Sequence, residues 1–122
     1  MHTALQHCLL AARAAGIVCV DGVYNAFRDE EGLAIECAEG RDFGFDGKSL
    51  IHPAQIAIAN TAFAPSQAEI ELARRQIAAF EEATAAGQAV AVVDGEIVEN
   101  LHVDTARATL AKADAIAERE AA

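Results

Sequence analysis

The chain is 122 residues long and carries a formal net charge of -10 at pH 7. That is one domain's length, and the charge excludes bulk attraction to a nucleic-acid backbone, which needs clustered Lys and Arg. Apolar residues make up 53% but aromatics only 5%, the composition of packed helices with alanine at their contacts and not of a disordered chain. No stretch approaches the roughly 20 apolar residues that span a bilayer and no signal-peptide layout opens the chain, so a soluble, cytoplasmic protein with no membrane and no nucleic-acid partner is expected.

Residues 3 to 15 contain Leu5, Leu9 and Leu10 among alanines and end at Gly16, which suits a helix closed by a left-handed residue. Ile17 to Val20 follows, four apolar and mostly β-branched residues that read as a strand buried on both faces, as in a parallel sheet covered by helices. Asp21-Gly22 ends it. A second helix is expected from Asp29 to about Gly40, with acids at its start, and a short interrupted strand from Phe43 to Ile51. Pro53 suits the first position of another helix.

Ser66 and Glu69 have capping-box spacing at the head of a long amphipathic helix that stops at Gly87, with Ile70, Ala73, Ile77 and Phe80 on one face. Asp94-Gly95 between two short β-prone runs is a hairpin signal, and a last helix is expected from Val103 or Asp104. The organisation is therefore residues 1–64 as βα units and residues 65–122 as a helix, hairpin and helix extension. Two parallel strands do not make a stable sheet, so partner strands are expected from missing sequence or another chain, and Met1 leading straight into a helix is read as a truncation.

Consecutive βα units with polar residues at their strand ends suggest a piece of a (β/α)8 barrel, in which the C-terminal strand ends carry the active site. Asp21 marks one such end and the loop Lys48 to Pro53 the other. Gly44, Gly47, Lys48 and Ser49 do not form a Walker loop, because two residues separate the glycines where that pattern needs four. Cys8, Cys19 and Cys37 have no CxxC spacing and read as buried reduced thiols. His2, His7 and His102 read as surface or interface residues, and no side chains show metal-ligand spacing.

Ala11-Ala12-Arg13-Ala14-Ala15-Gly16-Ile17, Asp21-Gly22-Val23-Tyr24, Gly44-Phe45-Asp46-Gly47-Lys48 and Ile51-His52-Pro53-x-Gln55, in that order, resemble the citrate lyase beta-subunit and malyl-CoA lyase (HpcH/HpaI aldolase-like) family, and the likeness runs on through Val93 to His102. The resemblance implies an α/β protein: the last two βα units of an incomplete (β/α)8 TIM barrel, then the extension. It implies a piece of an Mg2+-dependent carbon-carbon lyase acting on 3-hydroxyacyl-CoA esters, malyl-CoA thioesterase being the alternative within the family. The Mg2+ ligands would lie on strands absent from this chain, leaving it inactive alone.

Residue by residue, the resemblance places Ile51 and His52 against the CoA thioester, with Lys48 and Asp21 as further pocket members. Glu99, in Ile97-Val98-Glu99-Asn100-Leu101-His102, stands where the family carries an aspartate that acts as acid or base in an adjacent subunit's site. Its extra methylene moves the carboxylate by about 1.5 Å, which weakens the lyase reading and keeps the thioesterase reading open. A homo-oligomer, trimer or hexamer, is the implied assembly. The rival of another class is a noncatalytic oligomerisation module.

Overall fold

A computed structural model describes residues 1–122, which divide into two compact units, Met1–Phe63 and Ala64–Ala122. The first contains α1 (His2–Ala15), β1 (Val20–Asp21), α2 (Glu30–Phe43), β2 (Gly47–Lys48) and, after a 3-10 turn at Pro53–Gln55, α3 (Ile56–Phe63). Strands β1 and β2 pair in parallel, with Val20 opposite Gly47 and Asp21 opposite Lys48. The ladder is prolonged by Asp46 N–H to the Cys19 carbonyl at 2.8 Å and Ser49 N–H to the Asp21 carbonyl at 2.9 Å. This is a mixed α/β, helix-rich unit with no closed barrel.

The strand expected over Ile17 to Val20 is corrected. Regular pairing covers only Val20–Asp21, and Ile17, Val18 and Val20 are 59%, 73% and 54% exposed instead of buried on both faces. A lone strand pair has nothing to cover its second face, so these β-branched side chains point to water. Phe43, expected to open the second strand, closes α2. That helix passes Gly40 and stops at Gly44, whose φ is 104°. Gly40 is not a stop signal: it is buried, and a Cβ there would lie 3.2 Å from Asp21 Oδ2.

Unit 1 closes around Leu33, Cys37, Phe45, Ala59 and Phe63, with Leu5, Leu9 and Leu50 packed against them. Arg13 ties α1 to the entry of β2, donating to both Asp46 carboxylate oxygens at 2.9 and 3.0 Å. Asp46 also accepts from Cys19 N–H at 2.8 Å. Cys37 is buried and burial pushes its thiol up, whereas Cys8 is exposed on α1, which corrects the expectation of buried thiols throughout.

Unit 2 contains α4 (Gln67–Ala85), β3 (Ala91–Val93), β4 (Glu96–Val98) and α5 (Asn100–Ala121). The capping box forms: Ser66 Oγ accepts from Glu69 N–H at 3.2 Å, and Glu69 Oε2 accepts from Ser66 N–H at 2.7 Å. Val98 and Val103, 1% and 0% exposed, pack with Ala83 and Ala91 where the hairpin and α5 meet α4. Burial of each valine contributes about 1.5–3 kcal/mol. Helix α5 begins at Asn100, earlier than expected, with Glu99 as its N-cap residue.

Candidate functional site at two strand ends

Register pairing sets Asp21 and Lys48 side by side at the C-terminal ends of β1 and β2. The Lys48 side chain is fully buried, and its ammonium donates to Asp21 Oδ2 at 2.9 Å and to Glu36 of α2 at 2.5 Å. Desolvation alone lowers the pKa of a lysine, but here the hydrogen bonds to Glu36 and Asp21 outweigh it and raise the Lys48 value above the ordinary one. The amine stays charged and faces the two carboxylates. It binds the strand ends to α2.

Beyond β1, the loop from Gly22 folds back on itself. Tyr24 Oη donates to Asp29 Oδ2 at 2.7 Å, while Asp29 Oδ1 caps α2 by accepting from Gly32 N–H at 2.9 Å. The N–H of Gly32 first, and the Tyr24 hydroxyl second, hold the Asp29 carboxyl below its usual range; the same bond raises the Tyr24 phenol. Beyond β2, His52 precedes the Pro53 turn and its Nδ1 accepts from Ala54 N–H at 3.1 Å. In the neutral ring the proton therefore sits on Nε2.

The two loops meet. The Phe27 and His52 rings stack with centroids 4.5 Å apart and planes 24° apart, and the Arg28 guanidinium lies 5.3 Å from the Phe27 centroid. Gln55, 0% exposed, accepts from Ile51 N–H at 3.0 Å and donates to the Tyr24 carbonyl at 2.8 Å. Ile51 is consequently held by its backbone while its side chain remains half-exposed. Asn25 to Asp29 line an open hollow of about 560 Å³ beside the stacked rings.

Of the residues singled out in the sequence, Asp21, Lys48, Ile51 and His52 thus lie on the two strand-end segments of unit 1. Glu99 lies in unit 2, where its N–H donates to His102 Nδ1 at 3.0 Å and its carbonyl accepts from Val103 N–H at 3.2 Å. Its backbone is extended, with φ -110° and ψ 175°. Sequence reasoning missed Glu36 and Phe27, and it quoted Gln55 within the Ile51-His52-Pro53-x-Gln55 motif without giving it a role at the site. Glu36 was findable from its place between Leu33, Cys37 and Gly40 on the face of α2 that turns inward, and Gln55 from being an amide inside the apolar run from Ile51 to Ile58.

For the metal that the resemblance implies, the residues present do not form a site. No three His, Cys, Asp or Glu side chains group to hold an ion, and Asp21 and Glu36 are already engaged on the Lys48 ammonium.

Parallel strands with a helix between them and polar, loop-bearing C-terminal ends define an α/β protein, and in such proteins the strand ends are where a site is sought. Residues 1–53 match the model of the HpcH/HpaI aldolase/citrate lyase family. The chain is 74% identical over 117 residues, 96% of its own length, to a (3S)-malyl-CoA thioesterase of Cereibacter sphaeroides (strain KD131 / KCTC 12085). It is 41% identical over 112 residues to citrate lyase subunit beta of Escherichia coli (strain K12). Among solved structures, the protein CitE from Mycobacterium tuberculosis, in complex with magnesium, acetoacetate and coenzyme A, superposes with a TM-score of 0.76 at 30% identity, over 93% of this chain and 41% of that one. Over residues 1–53 this chain is thus a match to the HpcH/HpaI aldolase/citrate lyase family, and its similarity to members of that family runs on over 96% of its length. It spans 41% of the length of the thioesterase and 37% of the citrate lyase subunit.

Proposed function

We propose that this chain is part of an enzyme that acts on 3-hydroxyacyl-CoA esters and hydrolyses the thioester of a substrate of the (3S)-malyl-CoA kind. The observation that carries the reading is the 74% identity, across 96% of the chain, to a protein of that activity. In this reading the two βα units are the last two of a (β/α)8 barrel and residues 65–122 are its extension. Mg2+ would be held by side chains outside these residues, and no step assigned here runs through it. The complete enzyme would be a cytoplasmic homo-oligomer, trimer or hexamer.

Within the chain the roles divide by chemistry. Ile51 and His52 take the CoA ester at the strand ends: Nε2 of His52 is a donor, and the Ile51 side chain offers an apolar contact. Lys48 holds Asp21 and Glu36 in place from beneath, acting on the pocket through its partners. Glu99 transfers a proton from the start of α5, as acid or base. Carbon–carbon cleavage is the second reading, favoured by the 41% identity to citrate lyase subunit beta.

The test is a chimera in which this chain replaces the 117 matched residues of the Cereibacter enzyme. Hydrolysis of malyl-CoA releases malate and a free CoA thiol, whereas carbon–carbon cleavage leaves the thioester intact as acetyl-CoA beside glyoxylate. A thiol reagent and product chromatography separate the two. Glu99→Gln should lower kcat by about 10²–10⁴ in the chimera; an unchanged kcat would remove Glu99 from the reaction.

A further inference from the structure

We infer that Gln55 is a positioning residue that sets the two strand-end loops in register and thereby orients His52, an assignment that rests on the proposed role of those loops in holding a CoA ester. Two backbone groups of these loops, used by neither strand pairing nor a helix, face one another's segment: the Ile51 N–H after β2 and the Tyr24 carbonyl after β1. Gln55 meets both, accepting from the first at 3.0 Å and donating to the second at 2.8 Å, with a side chain wholly removed from water.

The partners dictate the residue type. A donor opposite one end and an acceptor opposite the other can be met only by a group carrying both functions, and they fix which way the amide points. An ionised glutamate would accept from Ile51 but repel the Tyr24 carbonyl, and a methionine of similar length would meet neither. Gln55 also follows His52 closely enough that its own N–H donates to the His52 carbonyl at 3.0 Å. The segment from Ile51 to Gln55 is thus closed on itself and then tied across to Tyr24. Phe27, three residues along from Tyr24, is brought over the His52 ring at a centroid distance of 4.5 Å.

Two variants of the chain, Gln55→Glu and Gln55→Met, separate the two bonds. In the parent, NMR should show Phe27 and His52 ring contacts, and both the Ile51 amide and the Gln55 side-chain amide should exchange at least about tenfold more slowly than the exposed side-chain amide of Gln88. Gln55→Glu should keep the Ile51 amide slow yet lose the ring contact; Gln55→Met should lose both, with exchange at Leu33 and Cys37 unchanged. Ring contacts and Ile51 protection that survive in both variants overturn the inference. So does a parent in which the Gln55 side-chain amide exchanges as fast as that of Gln88, a result that stands whether or not either variant folds.

The chimera with the Cereibacter enzyme adds the functional readout. There Gln55→Glu should raise KM about tenfold or more with a smaller change in kcat, because the loops would still form but hold the ester loosely. An equal loss in both constants, or none, counts against positioning. If the unmutated chimera is itself inactive the functional reading fails, while the exchange and ring-contact measurements still decide the role of Gln55.

Discussion

Lys48 directs its ammonium at Asp21 and Glu36 from a fully buried side chain, and the three charges hold β1, β2 and α2 together at the point where the loops depart. Removing the cation leaves two carboxylates facing each other, one of them only 12% exposed. Because Glu36 is 38% exposed and partly screened by water, Lys48→Met should cost about 2–3 kcal/mol, below the range for a wholly buried pair, measured as a lowered urea midpoint at unchanged slope. Glu36→Gln should cost clearly less. Tyr24 offers a second test, since the chain has one tyrosine and no tryptophan. Its hydrogen bond to Asp29 raises its pKa above 10.0. A group whose folded value is raised contributes stability that is complete below the unfolded value and is lost as pH rises through the folded one, so the Tyr24–Asp29 contact should weaken only above about pH 10. A Cβ at Gly32 would come within 2.1 Å of Tyr24 Oη and 2.3 Å of Asp29 Oδ2. Gly32→Ala should therefore return the phenolate absorbance titration toward the ordinary value, and an unshifted titration would show that the hydroxyl never engaged Asp29.

Among the elements, those with chemical punctuation were legible in the sequence. Ser66 and Glu69 announced α4, Pro53 opened its turn, and Asp94-Gly95 gave a two-residue hairpin whose residues have φ of 52° and 81°. Both angles are left-handed, so Gly95→Ala should lower stability by about 1 kcal/mol. Asp94→Asn should do less, since asparagine tolerates that backbone and the Arg75 to Asp94 contact is exposed on both sides; equal losses from the two changes would contradict the turn assignment. What failed were boundaries decided by tertiary contacts. Glycine ends helices in general, but Gly40 is kept mid-helix by the close approach of Asp21 and Phe63. The start of α5 was displaced because Glu99 and His102 cap it through a backbone-to-imidazole bond that no common capping pattern signals. The strand at Ile17 was read from its side chains alone, whereas strand length depends on neighbouring strands, and β1 pairs only with the two-residue β2. At the candidate site, residue types at the strand ends were readable, whereas Glu36 and Gln55 each bond a partner remote in sequence, Lys48 and Tyr24.

For the molecule as a whole, each unit has its own core, around Leu33 and Cys37 in one and around Val98 and Val103 in the other. The apolar side chains of Ile17, Val18 and Val20 stand exposed along the edge of unit 1. The chain corresponds to 41% of the thioesterase of Cereibacter sphaeroides, so its chemistry is best tested with the rest of an enzyme supplied. The most direct measurement is kcat/KM for (3S)-malyl-CoA hydrolysis by the chimera that carries this chain in place of the matched residues. A value within about tenfold of the unmodified Cereibacter enzyme, with free thiol and malate as products, is what the account predicts. A folded chimera that binds the ester but releases no thiol would contradict it.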